Sequence, residues 1–425
     1  HRDEVVGLMR VAFNMGTGSL AERAAWLPVE KMRCVLEGDR IVAAAAARDF
    51  RQWFGGRELG MSGIWGVVTA PEHRGGGLAT RAVTELLEAA RAKGQQLSVL
   101  YPATQRPYRG MGYELAGTMT RHAVALDDLP RGPAGPLTVE EYDPTRDLDG
   151  IRACYRASVS GHQGPIDSDD PDWWPQKILG RWFSDDVQRA VVARGASGIE
   201  GYASFTFGSD QGPLDFEYSI NCRHLVATSV EGWASLLTYL RGFRGLGRTL
   251  KFTGPPAHPV ALLVEEQRVR PAWSFQWMLR LLDVVGALEG RGYPPVSGEM
   301  VLAVEDALFP ENRGPWRVVA EGAADLDRNA VLPVQRVPVG VRRGGARVGG
   351  RGGSAWVGSA LRRVGAVDAR FLLGLPSGRD LRSRPIPRSI SHRLARSGCP
   401  AATGVEKLDG CKRRSTKRPQ RANTR

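Results

Sequence analysis

The stretch Gly66-Val67-Val68-Thr69-Ala70-Pro71-Glu72-His73-Arg74-Gly75-Gly76-Gly77-Leu78-Ala79-Thr80 constrains this chain more than any other. A β-type apolar run ends at Pro71, a glycine turn follows, and an amphipathic helical pattern runs from Thr80 to Lys93. Strand, glycine turn and helix start are the parts of a backbone anion site. Glycines let the chain approach a diphosphate closely, and the unpaired N–H groups of a first helical turn point at it. A plain surface turn would use the same residues. A Rossmann loop needs Gly-x-Gly-x-x-Gly, a spacing not met here, and a Walker loop needs a Gly-Lys-Ser/Thr ending, which is absent.

A second segment follows at a fitting distance. Gln96-Leu97-Ser98-Val99-Leu100-Tyr101 reads as a buried strand, and Pro102-Ala103-Thr104-Gln105-Arg106-Pro107-Tyr108-Arg109-Gly110-Met111-Gly112-Tyr113 comes next. The spacing Arg74-x-x-Gly77-x-Ala79 resembles the pyrophosphate loop of acetyl-CoA-dependent N-acetyltransferases of the GNAT superfamily. Tyr108 with Gly112-Tyr113 resembles that superfamily's Tyr-x-x-x-Gly-(Phe/Tyr) helix. The resemblance implies acetyl-CoA as acyl donor, no metal, and a tyrosine hydroxyl near the cofactor sulfur. When an amine attacks a thioester, the departing thiolate needs a proton. A phenol with a pKa near ~10 holds one at neutral pH. Tyr108 is therefore the candidate general acid, against the alternative of a packing residue; Tyr113 reads as core.

More narrowly, the chain resembles the Eis ("enhanced intracellular survival") family of GNAT acetyltransferases. The family loop Val-x-Val-x-Pro-x-His-Arg-Arg-Arg-Gly-Leu is matched at Val67, Pro71, His73, Arg74, Gly77 and Leu78; Thr69 replaces a valine, and Gly75-Gly76 replace two arginines. The family's Ile-Tyr-Gly-Arg-Phe-Gly-Tyr is matched by residues 107–113. By this match the cofactor contacts fall on Val67, Val68, Thr69, Gly75, Gly76, Gly77, Leu78, Ala79, Thr80, Ala103 and Thr104, with Arg74 beside them. Trp277 to Pro294 and Met300 to Val318 resemble the family's entry into a third domain of sterol-carrier-protein-like fold. The expected architecture is α/β (α+β): a GNAT domain over residues 1–132, a degenerate GNAT-like domain over 137–272, and an incomplete sterol-carrier-protein-like domain over 273–339. The resemblance also implies a homo-oligomer, a hexamer in the family, and an amine acceptor: an aminoglycoside, a polyamine or a lysine side chain.

With 425 residues, 42% of them hydrophobic, the chain can bury several cores. No run of ~18 apolar residues is present, so no membrane span is expected. Cys34, Cys154, Cys222, Cys399 and Cys411 lack metal spacing; with no signal peptide at the start, they point to a cytoplasmic protein. The net charge of +13 sits at one end. Residues 336–425 carry 22 Lys/Arg and 4 Asp/Glu, about +18, which leaves about −5 for the rest. Residues 340–425 are Arg/Gly-rich without apolar period and are expected to be disordered, with at most non-specific contact to nucleic acid.

Asp3 to Phe13 reads as a helix, and the resemblance implies a strand before it, which is expected to be missing. In the family the base is the terminal carboxylate of an aromatic residue; this chain ends at Arg425, so the base is unassigned, with Thr104, His122 and water as weak candidates. The second domain lacks an Arg-x-x-Gly-x-Gly/Ala turn and is expected to bind no cofactor. Trp173-Trp174 and Trp182-Phe183 read as core anchors before they read as a ligand platform, and Asp215 with Glu217 as a solvated strand face. A non-catalytic acyl-CoA-binding paralogue is the second function kept open.

Overall fold

The computed structural model describes residues 2–14, 29–131, 137–180, 187–210, 216–293, 298–320 and 334–336. Trp182, Phe183, Asp215, most of the expected linker at 131–136, and the tail from 340 lie outside them. Strands β1 (Met32–Glu37) and β2 (Arg40–Phe54) form the hairpin that Gly38-Asp39 predicts, with Gly38 at φ +59°. β3 (Arg57–Thr69) returns antiparallel to β2. Helix α1 (Arg2–Phe13) presses Val5, Val6 and Met9 onto one face of this ribbon. Helix α2 (Leu78–Ala92) covers the other. Its buried residues Ala82, Val83, Leu86, Leu87 and Ala90 recur every three to four positions, the spacing of one helical face. Gly94, at φ +80°, ends the helix and turns the chain into β4 (Leu97–Leu100), parallel to β3. Helix α3 (Arg106–Gly110) and strand β5 (Glu114–Ala125) complete this half.

The second half repeats the plan. It contains β6 (Thr138–Glu141), α4 (Leu148–Val159), β7 (Ile166–Asp167), α5 (Trp173–Leu179), β8 (Arg189–Gly195), β9 (Gly198–Ser209), β10 (Tyr218–Ala227), α6 (Val230–Arg241) and β11 (Gly247–Gly254). The unit β10–α6–β11 has the parallel crossover of β3–α2–β4. Then come β12 (Arg270–Leu281), α7 (Val284–Gly290), β13 (Gly298–Val304), β14 (Gly314–Ala320) and β15 (Val334–Arg336).

One sheet of twelve strands runs through both halves in the order β1-β2-β3-β4-β12-β5-β11-β10-β9-β8-β6, with β7 paired to β2. The strand β12 straddles the expected boundary at 272/273. It lies between β4 and β5, antiparallel to both, so the first half's sheet is closed by chain that follows the second half. Its Met278, Leu279 and Trp277 are core residues and need neighbours on both faces. β13, β14 and β15 form a separate three-stranded sheet. Among the described residues no helix is long and apolar enough to cross a membrane.

Two sequence expectations change. Glu217 is no solvated strand residue: it is 2% exposed and accepts from the Arg248 guanidinium, Nε at 2.8 Å. His122, a weak candidate for the base, is 4% exposed, with Nε2 2.9 Å from the Pro255 carbonyl and its ring stacked on Phe252. Trp173 and Trp174 are buried, edge to face 5.0 Å apart, in a core with Tyr155 and Ile178, as anchors do.

Candidate active site

The site is built where β3 and β4 part. They pair only at Met61↔Leu97, Ser62↔Ser98 and Gly63↔Val99, while β3 continues to Thr69. The bend has a local cause. The β2–β3 register slips between Ala44 and Ala46, opposite Gly66, which sits at φ +61°. A Cβ at Gly66 would meet only the movable Met9 methyl, at 2.5 Å, so this bulge calls for glycine through its left-handed dihedral. Beyond Gly63 the β4-facing edge of β3 is open: a wedge of backbone polar groups flanked by Val67, Val68 and Thr69. The Val68 side chain itself is buried against α1, and Val67 packs toward α2. Any contact from Val68 or Thr69 to a bound molecule would come from backbone.

A short 3₁₀ turn, Pro71–His73, closes the strand and is held by the Arg40–Glu72 ion pair at 2.7 Å. The glycine loop follows. Gly75 stands at φ +88° and Gly77 at φ +76°, and a Cβ on either would point into open space. Conformation, not crowding, demands glycine at these two positions. Gly77 is the N-cap of α2 and supplies no side chain to the helix. The N–H groups of Leu78, Ala79 and Thr80 are thus left without intrahelical partners, at the positive end of a fifteen-residue helix. Arg74 and Gly76 are exposed at its rim. This cradle fits a diphosphate. The corresponding helix of the second half does not: Ser229 caps α6, its hydroxyl accepting from the Gly232 N–H at 3.0 Å and donating to Glu200 Oε2 at 2.6 Å. A hydroxyl and a carboxylate already stand where a phosphate would go.

Ala103 and Thr104 are exposed on the loop from β4 to α3, on the other side of the wedge. Tyr108 lies in α3, half-buried against the core that α2 shares with Leu100, Met111 and Met278. Its carbonyl accepts from the N–H groups of Met111 (3.0 Å) and Tyr113 (3.1 Å), which fixes the turn that carries it. Its ring meets the Tyr113 edge at 6.0 Å. Among the described residues nothing hydrogen-bonds its hydroxyl. Burial pushes the Tyr108 phenol above its usual value, so the proton stays on. Tyr113 is core, 1% exposed: its hydroxyl donates to Ser98 Oγ (2.7 Å), which donates to the Ser62 carbonyl (3.0 Å) at the last pairing before the wedge opens. The described residues offer no cluster of three or more His, Cys, Asp or Glu able to hold a metal.

Sequence reasoning missed three participants. Arg280, alone in the apolar run Trp277-Met278-Leu279-Arg280-Leu281-Leu282, is 5% exposed beneath Gly112; a lone charge in a buried strand was its signal. Asp306 pairs with it at 2.6 Å, and Phe309 packs on it at 5.0 Å; both lie in the stretch Met300 to Val318, which the sequence marked only as the entry to a further domain and not as part of the site.

A bulged strand, a wedge, an uncapped glycine helix start and a tyrosine helix define a GNAT acetyltransferase. Two family profiles, each described as an acetyltransferase (GNAT) domain, match residues 1–116 and 168–281. An uncharacterized N-acetyltransferase of Streptomyces coelicolor is 29% identical over 304 residues, covering 68% of this chain and 72% of the relative. N-acetyltransferase Eis of Mycobacterium tuberculosis is 25% identical over 294 residues, covering 63% of this chain and 67% of its own. The crystal structure of a GCN5-related N-acetyltransferase from Anabaena variabilis superposes with a TM-score of 0.70 at 25% identity, covering 79% of this chain and 82% of that one. The chain belongs to the Eis-like family of GNAT N-acetyltransferases, enzymes that take acetyl-CoA as acyl donor.

Proposed function

We propose that this enzyme transfers the acetyl group of acetyl-CoA to a primary amine on an aminoglycoside, a polyamine or a lysine side chain, with Tyr108 as general acid. Acetyl-CoA supplies an activated acyl group as a thioester. The glycine loop from Arg74 to Thr80 holds its diphosphate through backbone N–H groups, and the open edge of β3 from Val67 to Thr69 holds the pantetheine arm. Ala103 and Thr104 border the same arm across the wedge. The amine attacks the thioester carbon, the carbon–sulfur bond breaks, and Tyr108 protonates the departing sulfur. The three strands β13–β15 are what this reading assigns to a sterol-carrier-protein-like third domain.

The observation that carries the reading is the uncapped start of α2, because an N-terminus with three unpaired N–H groups and a left-handed glycine cap suits a phosphate anion. Gly77→Val tests it. A β-branched residue at φ +76° is strained and withdraws the cap from the diphosphate. Calorimetric acetyl-CoA affinity should fall at least about tenfold, the loss of one or more charge-assisted hydrogen bonds. Equal affinity in a folded variant would remove the loop from the cofactor site.

A further inference from the structure

Gly112 stands two residues past α3, at φ +84°, and a Cβ there would lie 1.7 Å from Nη1 of Arg280. The guanidinium is therefore seated directly on the backbone of the turn whose hydrogen bonds end on the Tyr108 carbonyl. Arg280 is 5% exposed, and among the described residues its Nε has no hydrogen-bond partner. One carboxylate answers its charge: Nη2 donates to Asp306 Oδ1 at 2.6 Å. Asp306 is itself pinned. It accepts from the N–H groups of Leu308 (3.0 Å) and Phe309 (2.9 Å) and from Asn312 Nδ2 (2.9 Å). Phe309 lies between two guanidiniums, Arg280 at 5.0 Å and Arg91 at 4.9 Å. Arg91 belongs to the last turn of α2, the helix whose first turn is the phosphate cradle, and donates to Asn312 Oδ1 at 3.2 Å. The loop between β13 and β14 thus grips the far end of the cofactor helix and the underside of the tyrosine turn. It lies beyond both matched acetyltransferase stretches, which end at residue 281.

We propose that Asp306 is a positioning residue for Tyr108, acting through Arg280. The proposal rests on the reading of Tyr108 as general acid. A buried guanidinium stripped of its counter-ion cannot stay where it is without a large desolvation penalty. It must turn toward water, and the space it leaves lies under Gly112. The turn would then sag and carry the phenol away from the sulfur, while the N–H groups at the start of α2 stay in place. A displacement of about one ångström in a catalytic group is enough to cost about a hundredfold in rate.

The test uses the full chain labelled with 3-fluorotyrosine, the Tyr108 fluorine resonance being assigned by its loss in Tyr108→Phe. Asp306→Ala should move that resonance, and Asp306→Asn, which keeps acceptor atoms but not charge, should move it less and in the same direction. Arg317→Ala breaks an exposed ion pair with Glu299 elsewhere in the same hairpin and should leave it in place. Acetyl-CoA affinity by calorimetry should change little in all three. With spermidine as acceptor, thiol release by Asp306→Ala should show kcat down about tenfold to a hundredfold with little change in KM for acetyl-CoA. An unmoved Tyr108 resonance in folded Asp306→Asn or Asp306→Ala overturns the proposal, whatever the melting temperature does. If Tyr108→Phe proves fully active while the resonance still moves in Asp306→Ala, the positioning stands and the general-acid reading falls.

Discussion

The Tyr108 side chain shows how much a single residue owes to its surroundings. Its type and its spacing to Gly112 and Tyr113 mark it in the sequence, but the proposed chemistry depends on half-burial and on a hydroxyl that no described residue hydrogen-bonds. Tyr108→Phe should lower kcat by roughly a hundred- to ten-thousand-fold while sparing acetyl-CoA affinity, the usual range for a lost general acid. Steady-state kinetics with chemistry rate-limiting will read this, and an unchanged kcat would end the assignment. The pH dependence has a definite sign. On the proposed reading the protonated phenol is the working form, and burial raises its pKa above the ordinary 10.0. The alkaline fall in kcat should therefore have its midpoint above pH 10, and a limb with its midpoint at pH 8–9 would belong to another group. His122 is the opposite case. Its imidazole suits a base on paper, but its ring is spent on Pro255 and Phe252 inside the core.

Among the elements, β12 decides whether the first half can exist alone. Ladder hydrogen bonds to β4 and β5 come from residues 270–281, and Met278 and Leu279 fill the cores on its two faces. Without it, β4 and β5 would expose two unpaired edges and an open core. A fragment of residues 1–132 should therefore show no cooperative thermal transition and no calorimetric acetyl-CoA binding. A cooperative transition in that fragment would show that β12 is dispensable. The helices were the most legible elements. α2 (Leu78–Ala92) differs from its sequence pattern, Thr80 to Lys93, only at the ends. β12 was hidden, because an apolar strand carries no mark of which neighbours it will pair with.

For the molecule as a whole, the repeat of strand, crossover helix and strand makes two candidate phosphate sites, and the helix caps separate them. α2 begins at bare Gly77; α6 begins at Ser229 with Glu200 beside it. One acetyl-CoA per chain is the expected stoichiometry in a calorimetric titration, and Gly77→Val should weaken that one event. Two equivalent binding events per chain would mean that the second helix takes a phosphate despite its cap. The Asp306–Arg280 pair joins the loop between β13 and β14, outside both repeats, to β12, and on the positioning proposed above that is how this loop reaches the site.

The sequence by itself determined what local chemistry can determine. Gly75 and Gly77 imply left-handed backbone and the apolar period after Thr80 implies a helix face, and both features are short-range enough to be read from the residues themselves. The Tyr108 motif follows from the same short range. What the tertiary structure decided are the relations between distant residues. It set β12 between β4 and β5, its first residue 145 positions after the last of β5, pairing Met278 with Leu100 on one side and Leu279 with Glu114 on the other. It buried Glu217 against Arg248 and gave Arg280 its partner in Asp306. The physical reason is that a turn or a cap is settled by the few residues that form it, whereas a buried charge or a central strand is stable only with partners that folding brings from elsewhere.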